Sequence, residues 1–262
     1  ERLVTASWGY VDPDIKNIPV TPDTLFDLAS VSKLFTTTAF LSALSASDLT
    51  LNTPLVEIIP EFGESGPRPL HGGQDPHSKE MLPLDKDHQT QTVDPSQVTL
   101  WHLLTHTSGL APWRQVYLEA GPVPVPPDQP EPVPHVARWA KGLQAICAYP
   151  FVGQPDTGVR YSDLGLMLLG EVVVRLHGQS ADLAEAVHEL VTKPMDLRTV
   201  MYNPVRLGHP QENVVPTEDD PEWRGRRPCG EVHDENACGL GGIAGHAGLF
   251  ATAADVVAFG QA

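Results

Sequence analysis

The chain has 262 residues, 41% of them hydrophobic, and a formal net charge of −16 from 17 basic and 33 acidic side chains. This length and apolar content suffice for a large buried core and exclude a disordered chain. The acidic balance repels phosphate backbones and anionic lipid, so no nucleic-acid partner is expected, and no stretch reaches the ~18 uninterrupted apolar residues of a membrane span.

Leu3 to Tyr10 alternates apolar and polar side chains before Val11-Asp12-Pro13-Asp14, which predicts a strand entering a turn. From Leu34 onward, Phe35, Ala39, Phe40, Ala43 and Leu44 recur at helical spacing, so a helix is expected to begin at or just before Ser30. Pro54 and Pro60 break the segment that follows. Residues 63–97 are rich in Pro, Gly, His, Asp and Gln and read as a long loop insertion. A second insertion, 121–135, is proline-dense and predicted to be extended. Val98 to Leu104 predicts a short helix closed by Gly109. Longer helices are expected over Val136 to Cys147, Asp163 to Leu176 with Gly178 as its stop, and Ala181 to Val191. Asn203 to Gly248 is punctuated by Gly and Pro and reads as loop, after which Thr252 or Ala253 opens a last helix. Helices are plentiful and only one strand is convincing, so its partners are either weakly signalled or outside this chain.

Cys147, Cys229 and Cys238 make an odd count; Cys229 and Cys238 lie close enough in sequence to pair, but free thiols are the simpler expectation. No C-x-x-C pair exists to hold a structural zinc. His102 and His106 have the four-residue spacing of zinc ligands on a helix, yet Leu103 stands where a zinc protease needs its glutamate, which favours packing or capping roles. Gly239, Gly241 and Ala244 echo a dinucleotide fingerprint without the strand-helix-strand setting. Neither a metal nor any other cofactor is expected.

Ser30-Val31-Ser32-Lys33 is the sequence's single S-x-x-K. On a helix, positions three apart share a face, which puts the amine beside the hydroxyl. A serine alcohol attacks poorly until a base takes its proton, and a desolvated amine at a helix start can do so. The same letters also fit an ordinary Ser and Lys on a solvated face. Tyr161-Ser162-Asp163 precedes the helix to Leu176; a phenol near the nucleophile can shuttle a proton, while a simple capped helix fits equally well.

Taken together, Leu28 to Lys33, Leu100 to Leu110 and Tyr161 to Gly170 resemble the class C β-lactamase-like serine hydrolases, a superfamily that includes penicillin-binding proteins, D-aminopeptidases and carboxylesterases. Lys193 to Thr199 and Gly239 to Phe259 are similar to further family segments. Val232 to Ala237 with Gly245 to Phe250 looks most like a penicillin-binding-protein 4B-type branch. The resemblance implies Ser30 as acylated nucleophile, Lys33 as general base and Tyr161 as proton shuttle. It also implies an α/β (α+β) fold, an antiparallel sheet flanked by helices and joined to a helical region, with the site between them.

Two features depart from the family pattern. Asp163 stands where Tyr-x-Asn carries an amide; a carboxylate only accepts hydrogen bonds, so it can hold Lys33 protonated or orient it. His246-Ala247-Gly248 fits the letters of the third motif, His-x-Gly, but runs into the last helical pattern. Gly239 to Gly248 is therefore read as a flexible loop near the site, with Asp163, His233 and His246 as candidate substrate contacts; an exposed polar loop is the simpler reading of His233, Asp234 and Glu235. The true third motif and one oxyanion strand are expected beyond Ala262, and a strand before Glu1, which would make this chain a fragment of one hydrolase domain. The resemblance points to a periplasmic or extracellular location that the sequence itself leaves open. The expected partner is a small molecule or peptide: a β-lactam or D-Ala-D-Ala-type amide hydrolysed through an acyl-enzyme, an ester in a carboxylesterase or transesterase, or neither if the chain is a non-catalytic interaction module.

Overall fold

The computed structural model describes residues 5–12, 14–84, 90–178 and 182–262. Its centre is a helix buried on almost every side, α5 (Asp163–His177), in which each residue from Leu164 to Val173 is buried. A helix apolar all round has to lie inside the molecule, and this one does. The Ser162 hydroxyl accepts from the Gly165 N–H at 3.1 Å to start it, and Gly178 ends it in the left-handed conformation at φ +66°, as the sequence predicts.

Helix α1 (Ser32–Ser45) packs along α5 through Lys33, Phe35, Thr36, Ala39, Phe40 and Ala43, the i, i+3, i+4 and i+7 positions of one face. A three-residue 3₁₀ turn, Ala29–Val31, joins α1 to strand β1 (Phe26–Asp27). The remaining helices are α2 (Leu100–Leu104), α3 (Val116–Ala120), α4 (His135–Ala148) and α6 (Leu183–Val187), which continues into a π turn at His188–Thr192. Near the C-terminal end come α7 (Glu235–Gly239) and α8 (Ala253–Gln261), the latter capped by Thr252. Phe259 of α8 stacks on Phe35 of α1 with centroids 3.9 Å apart.

The strands are short. A small ladder pairs β2 (Arg68–Pro69) with β3 (Thr92–Val93). The main sheet is antiparallel in the order β1, β5 (Leu249–Ala251), β4 (Met201–Tyr202), with Phe26 opposite Ala251 and Tyr202 opposite Leu249. Sheet and helices meet through side-chain bonds as well: the buried Ser32 hydroxyl accepts from the Leu249 N–H at 3.1 Å.

Several expectations need correction. The strand expected over Leu3 to Tyr10 is represented by one antiparallel bridge, Tyr10 to Pro19; Leu3, Val4 and the turn residue Pro13 lie outside the described residues. The helix expected from Ala181 is described from Leu183, Ala181 being outside them. The first insertion is pinned down: β2 pairs with β3, Gln74 bridges to Met81, and Leu70 bridges to Phe151; its residues 85–89 lie outside the described set. Arg68 fixes it to the end of α4, donating to the Cys147 carbonyl at 2.7 Å and the Tyr149 carbonyl at 3.0 Å between the rings of Phe62 and Phe151. The second insertion folds into a turn at Pro126 to Gln129 within its extended course. Helix α2 ends at Leu104 as expected but starts at Leu100 rather than Val98, because a capping box of Thr99 and His102 opens it there. Asn203 to Gly248, expected to be mostly loop, holds a 3₁₀ turn at Gln211–Asn213 and the short helix α7. All three cysteines are free.

Candidate active site

The site forms where three segments converge on Lys33. The Lys33 side chain is 9% exposed, and its Nζ donates to the Ser30 hydroxyl at 2.8 Å and to the His246 carbonyl at 2.9 Å. It pairs with Asp163 Oδ1 at 2.8 Å. An ammonium has three donors, and here each faces one oxygen. The Tyr161 ring lies over it, 4.8 Å from Nζ to centroid, while Tyr161 itself is half-exposed. Ser30 is exposed too, so a reactant can reach the hydroxyl and the phenol but not the amine beneath them.

Local structure explains the placement. Ala29 has φ +45°, a left-handed conformation uncommon for an L-residue, and it turns the chain sharply from β1 into the helix. Asp27 holds that turn, its Oδ1 accepting from the Ala29 N–H at 2.8 Å and its Oδ2 from the His233 N–H at 2.7 Å. Burial pushes the Asp27 carboxyl up despite these bonds. Across the site, His106 at φ +57° receives the Ser162 N–H on its Nδ1 at 3.1 Å, and its ring lies 4.8 Å from that of Tyr161. Burial, reinforced by Lys33 and partly offset by Asp163, holds the His106 imidazole below its usual range. The Asp163 N–H donates to the Pro112 carbonyl at 2.9 Å, which fixes the start of α5.

Ser30, Lys33, Tyr161 and Asp163 thus come together, whereas the other two candidate contacts take different places. His246 is 1% exposed, which removes its imidazole from contact with substrate; Nε2 bonds Asp234 Oδ1 at 2.8 Å, and only its carbonyl reaches the site. His233 is half-buried, with its N–H on Asp27 and its carbonyl taken by Arg224. Asp163 faces Lys33 with a side chain 18% exposed. The segment expected to be flexible is packed: a Cβ on Gly245 would lie 2.1 Å from the Leu166 carbonyl oxygen, so only glycine allows this approach to α5. The polar run His233 to Glu235, expected to be exposed, is half-buried and leads into α7, with the Asp234 carboxylate capping the Ala237 N–H at 2.8 Å. Burial opposes ionisation of Asp234, but His246, the Ala237 N–H and Lys33 outweigh it and hold the carboxyl far below the ordinary range.

His102 and His106 do not converge. His102 completes the cap of α2 through Nδ1 and reaches Asp156 at 3.0 Å through Nε2. Among the described residues no group of His, Cys, Asp and Glu is arranged to hold a metal. Asp27, Ala29 and His106 are the neighbours that sequence reasoning missed. For Asp27 and Ala29 the only sequence signal is proximity to the S-x-x-K pattern, because a left-handed alanine has no signature; His106, read as a packing or capping residue, is 56 residues from the Ser162 it meets in the fold.

The chain belongs to the β-lactamase family, whose model matches residues 1–262. It is 28% identical over 260 residues to an Escherichia coli (strain K12) protein named for D-alanyl-D-alanine carboxypeptidase activity, covering 93% of this chain and 51% of that protein. It is 32% identical over 224 residues to esterase EstB of Burkholderia gladioli, covering 82% of this chain and 48% of that protein. The chain therefore spans about half the length of the curated relatives it matches. Its fold is similar to that of a β-lactamase/D-alanine carboxypeptidase from Yersinia pestis, with TM-score 0.62 and 19% identity over 100% of this chain and 59% of that one. A hydrolase with promiscuous acyltransferase activity gives TM-score 0.61 at 20% identity, over 96% of this chain and 61% of the other. No helix among the described residues is long and apolar enough to cross a membrane.

Proposed function

We propose that this chain carries the nucleophilic centre of a serine acyl-transfer hydrolase. The observation that supports it best is the buried Lys33 amine 2.8 Å from the exposed Ser30 hydroxyl. Ser30 Oγ attacks a carbonyl carbon while Lys33, in its amine form, takes the hydroxyl proton. The positive charge gained there is balanced by Asp163 at 2.8 Å, so the carboxylate serves the base more than the substrate. The Tyr161 phenol passes a proton to the leaving group, and the Ser30 N–H, at a helix start where amides lack intrahelical acceptors, faces the oxyanion. Water then hydrolyses the ester to Ser30 and frees the acid. His233, half-buried beside Asp27, borders the site as a substrate contact.

The substrate class we favour is a β-lactam or D-Ala-D-Ala-type peptide, following the relative named as a carboxypeptidase; the relative named as an esterase supports a carboxylester as the second reading. Labelling by a fluorophosphonate probe tests the chemistry. The Ser30→Ala variant is expected to lose labelling entirely, and unchanged labelling rejects the mechanism. A stable fluorescent-penicillin adduct distinguishes the first substrate class from the second, for which p-nitrophenyl esters turn over without lasting adduct. A wild-type chain inert to every probe would leave a non-catalytic relative.

A further inference from the structure

Lys33 is held by three oxygens, and two of them take part in the chemistry: Ser30 Oγ loses a proton and becomes acylated, and Asp163 answers the changing charge. The His246 carbonyl, 2.9 Å from Nζ, neither reacts nor titrates, so it is the fixed point from which the amine is aimed. A carbonyl can aim an amine only if its own peptide is held. The loop carrying it is pressed against α5 by Gly245, and the next side chain, the His246 imidazole, is buried. That ring has one polar anchor: Nε2 meets Asp234 Oδ1 at 2.8 Å, whereas Nδ1 is buried without a hydrogen-bond partner among the described residues. Asp234 is itself immobilised, because the same oxygen caps α7 at the Ala237 N–H. A buried ring tied at one nitrogen to a capped helix cannot rotate without leaving that nitrogen unpaired as well.

We infer that Asp234 and His246 form a tether that positions Lys33, the imidazole fixing the peptide whose carbonyl orients the amine toward Ser30. Both are positioning residues; neither touches a reactant. The inference rests on Ser30 and Lys33 acting as proposed above. It assigns a use to a buried histidine whose side chain is out of reach of substrate.

The test breaks the tether from either end in the full chain and counts competent sites by irreversible probe, so that kcat refers to folded protein. His246→Met keeps the ring's bulk without a donor. Asp234→Ser keeps a cap for α7 but is too short to reach the imidazole. Each is expected to lower kcat for acylation by about 10²-fold, the usual cost of an ångström-scale misplacement, while KM stays within about twofold. His246→Gln places an N–H donor near the position of Nε2 and is expected to restore most of the rate. A purely structural role would lower the melting temperature and leave kcat per competent site at the wild-type value. That result in H246M or D234S, or an H246Q variant as slow as H246M, overturns the tether. D234S decides the matter alone if H246M fails to fold. Loss of labelling in the wild-type chain itself would instead reject the underlying mechanism, and the tether with it.

Discussion

Ala29 sits in a left-handed conformation one residue before Ser30, the proposed nucleophile. For an L-residue this costs roughly 1–2 kcal/mol, whereas glycine adopts it freely and loses roughly 0.5–1 kcal/mol through added freedom in the unfolded chain. Ala29→Gly is therefore expected to stabilise the protein by about 0.5–1 kcal/mol, read from urea denaturation midpoints, and Ala29→Val to destabilise it, since a β-branched residue tolerates positive φ poorly. Equal midpoints for all three would show that the turn is unstrained. The S-x-x-K and Tyr-x-Asp patterns were legible because each is local: three residues of helix bring Ser30 to Lys33 whatever the rest of the chain does. His246 was legible only as a letter. Its useful atom is a carbonyl, which every residue has, and its partner Asp234 stands at no helical or strand spacing from it.

Among the elements, the proline-dense insertion is secured by arginines: Glu131 pairs with the buried Arg138 at 2.8 Å and with Arg206 at 3.7 Å, and Arg206 and Arg226 donate to its Val125, Gln129 and Pro124 carbonyls. Arg138 of α4 is fully buried and donates to Glu131 at 2.8 Å and to the Pro122 carbonyl at 2.8 Å. Burial opposes ionisation of Glu131, but Arg138 and the Val133 and Val125 N–H groups outweigh it and keep the carboxyl below its usual value of 4.5. The unfolded chain then takes up the proton first, so this contribution is complete above pH 4.5 and is lost as pH falls below it. Glu131→Gln leaves a buried guanidinium uncompensated and should cost about 3–5 kcal/mol at pH 7. The variant should also show a shallower loss of stability below pH 4.5 than wild type in denaturant titrations. Helices α1, α4 and α5, of 14, 14 and 15 residues, were predictable because their apolar faces repeat over several turns. The strands have two or three residues, too few for alternation to register, and what pairs them is position in space.

At the scale of the molecule, the turn after β1, the start of α5 and the loop at His246 meet on Lys33. The first insertion reaches α7 through Lys79, which pairs with Glu235 at 3.1 Å and lies 4.4 Å above the Trp113 ring. Sequence composition marked that stretch as unstructured because its anchors are single residues, Arg68 and Lys79, rather than a periodic face. The same reasoning explains why the glycine-rich loop looked mobile: glycines that allow close contact and glycines that allow motion are spelled alike.

The ammonium of Lys33 joins Ser30, three residues away, to His246, 213 residues away, and to the opening of α5. Under the proposed mechanism, a span of 213 residues must be in place before the hydroxyl has its base, so a newly made or partly unravelled chain would carry a chemically silent serine. On that mechanism, acylation would double as a readout of completed assembly. During refolding from denaturant, pulse labelling by a fluorophosphonate should appear no earlier than the change in tryptophan fluorescence that reports burial of the interior, and an early burst of labelled protein would show that the serine is activated locally, without the distant loop.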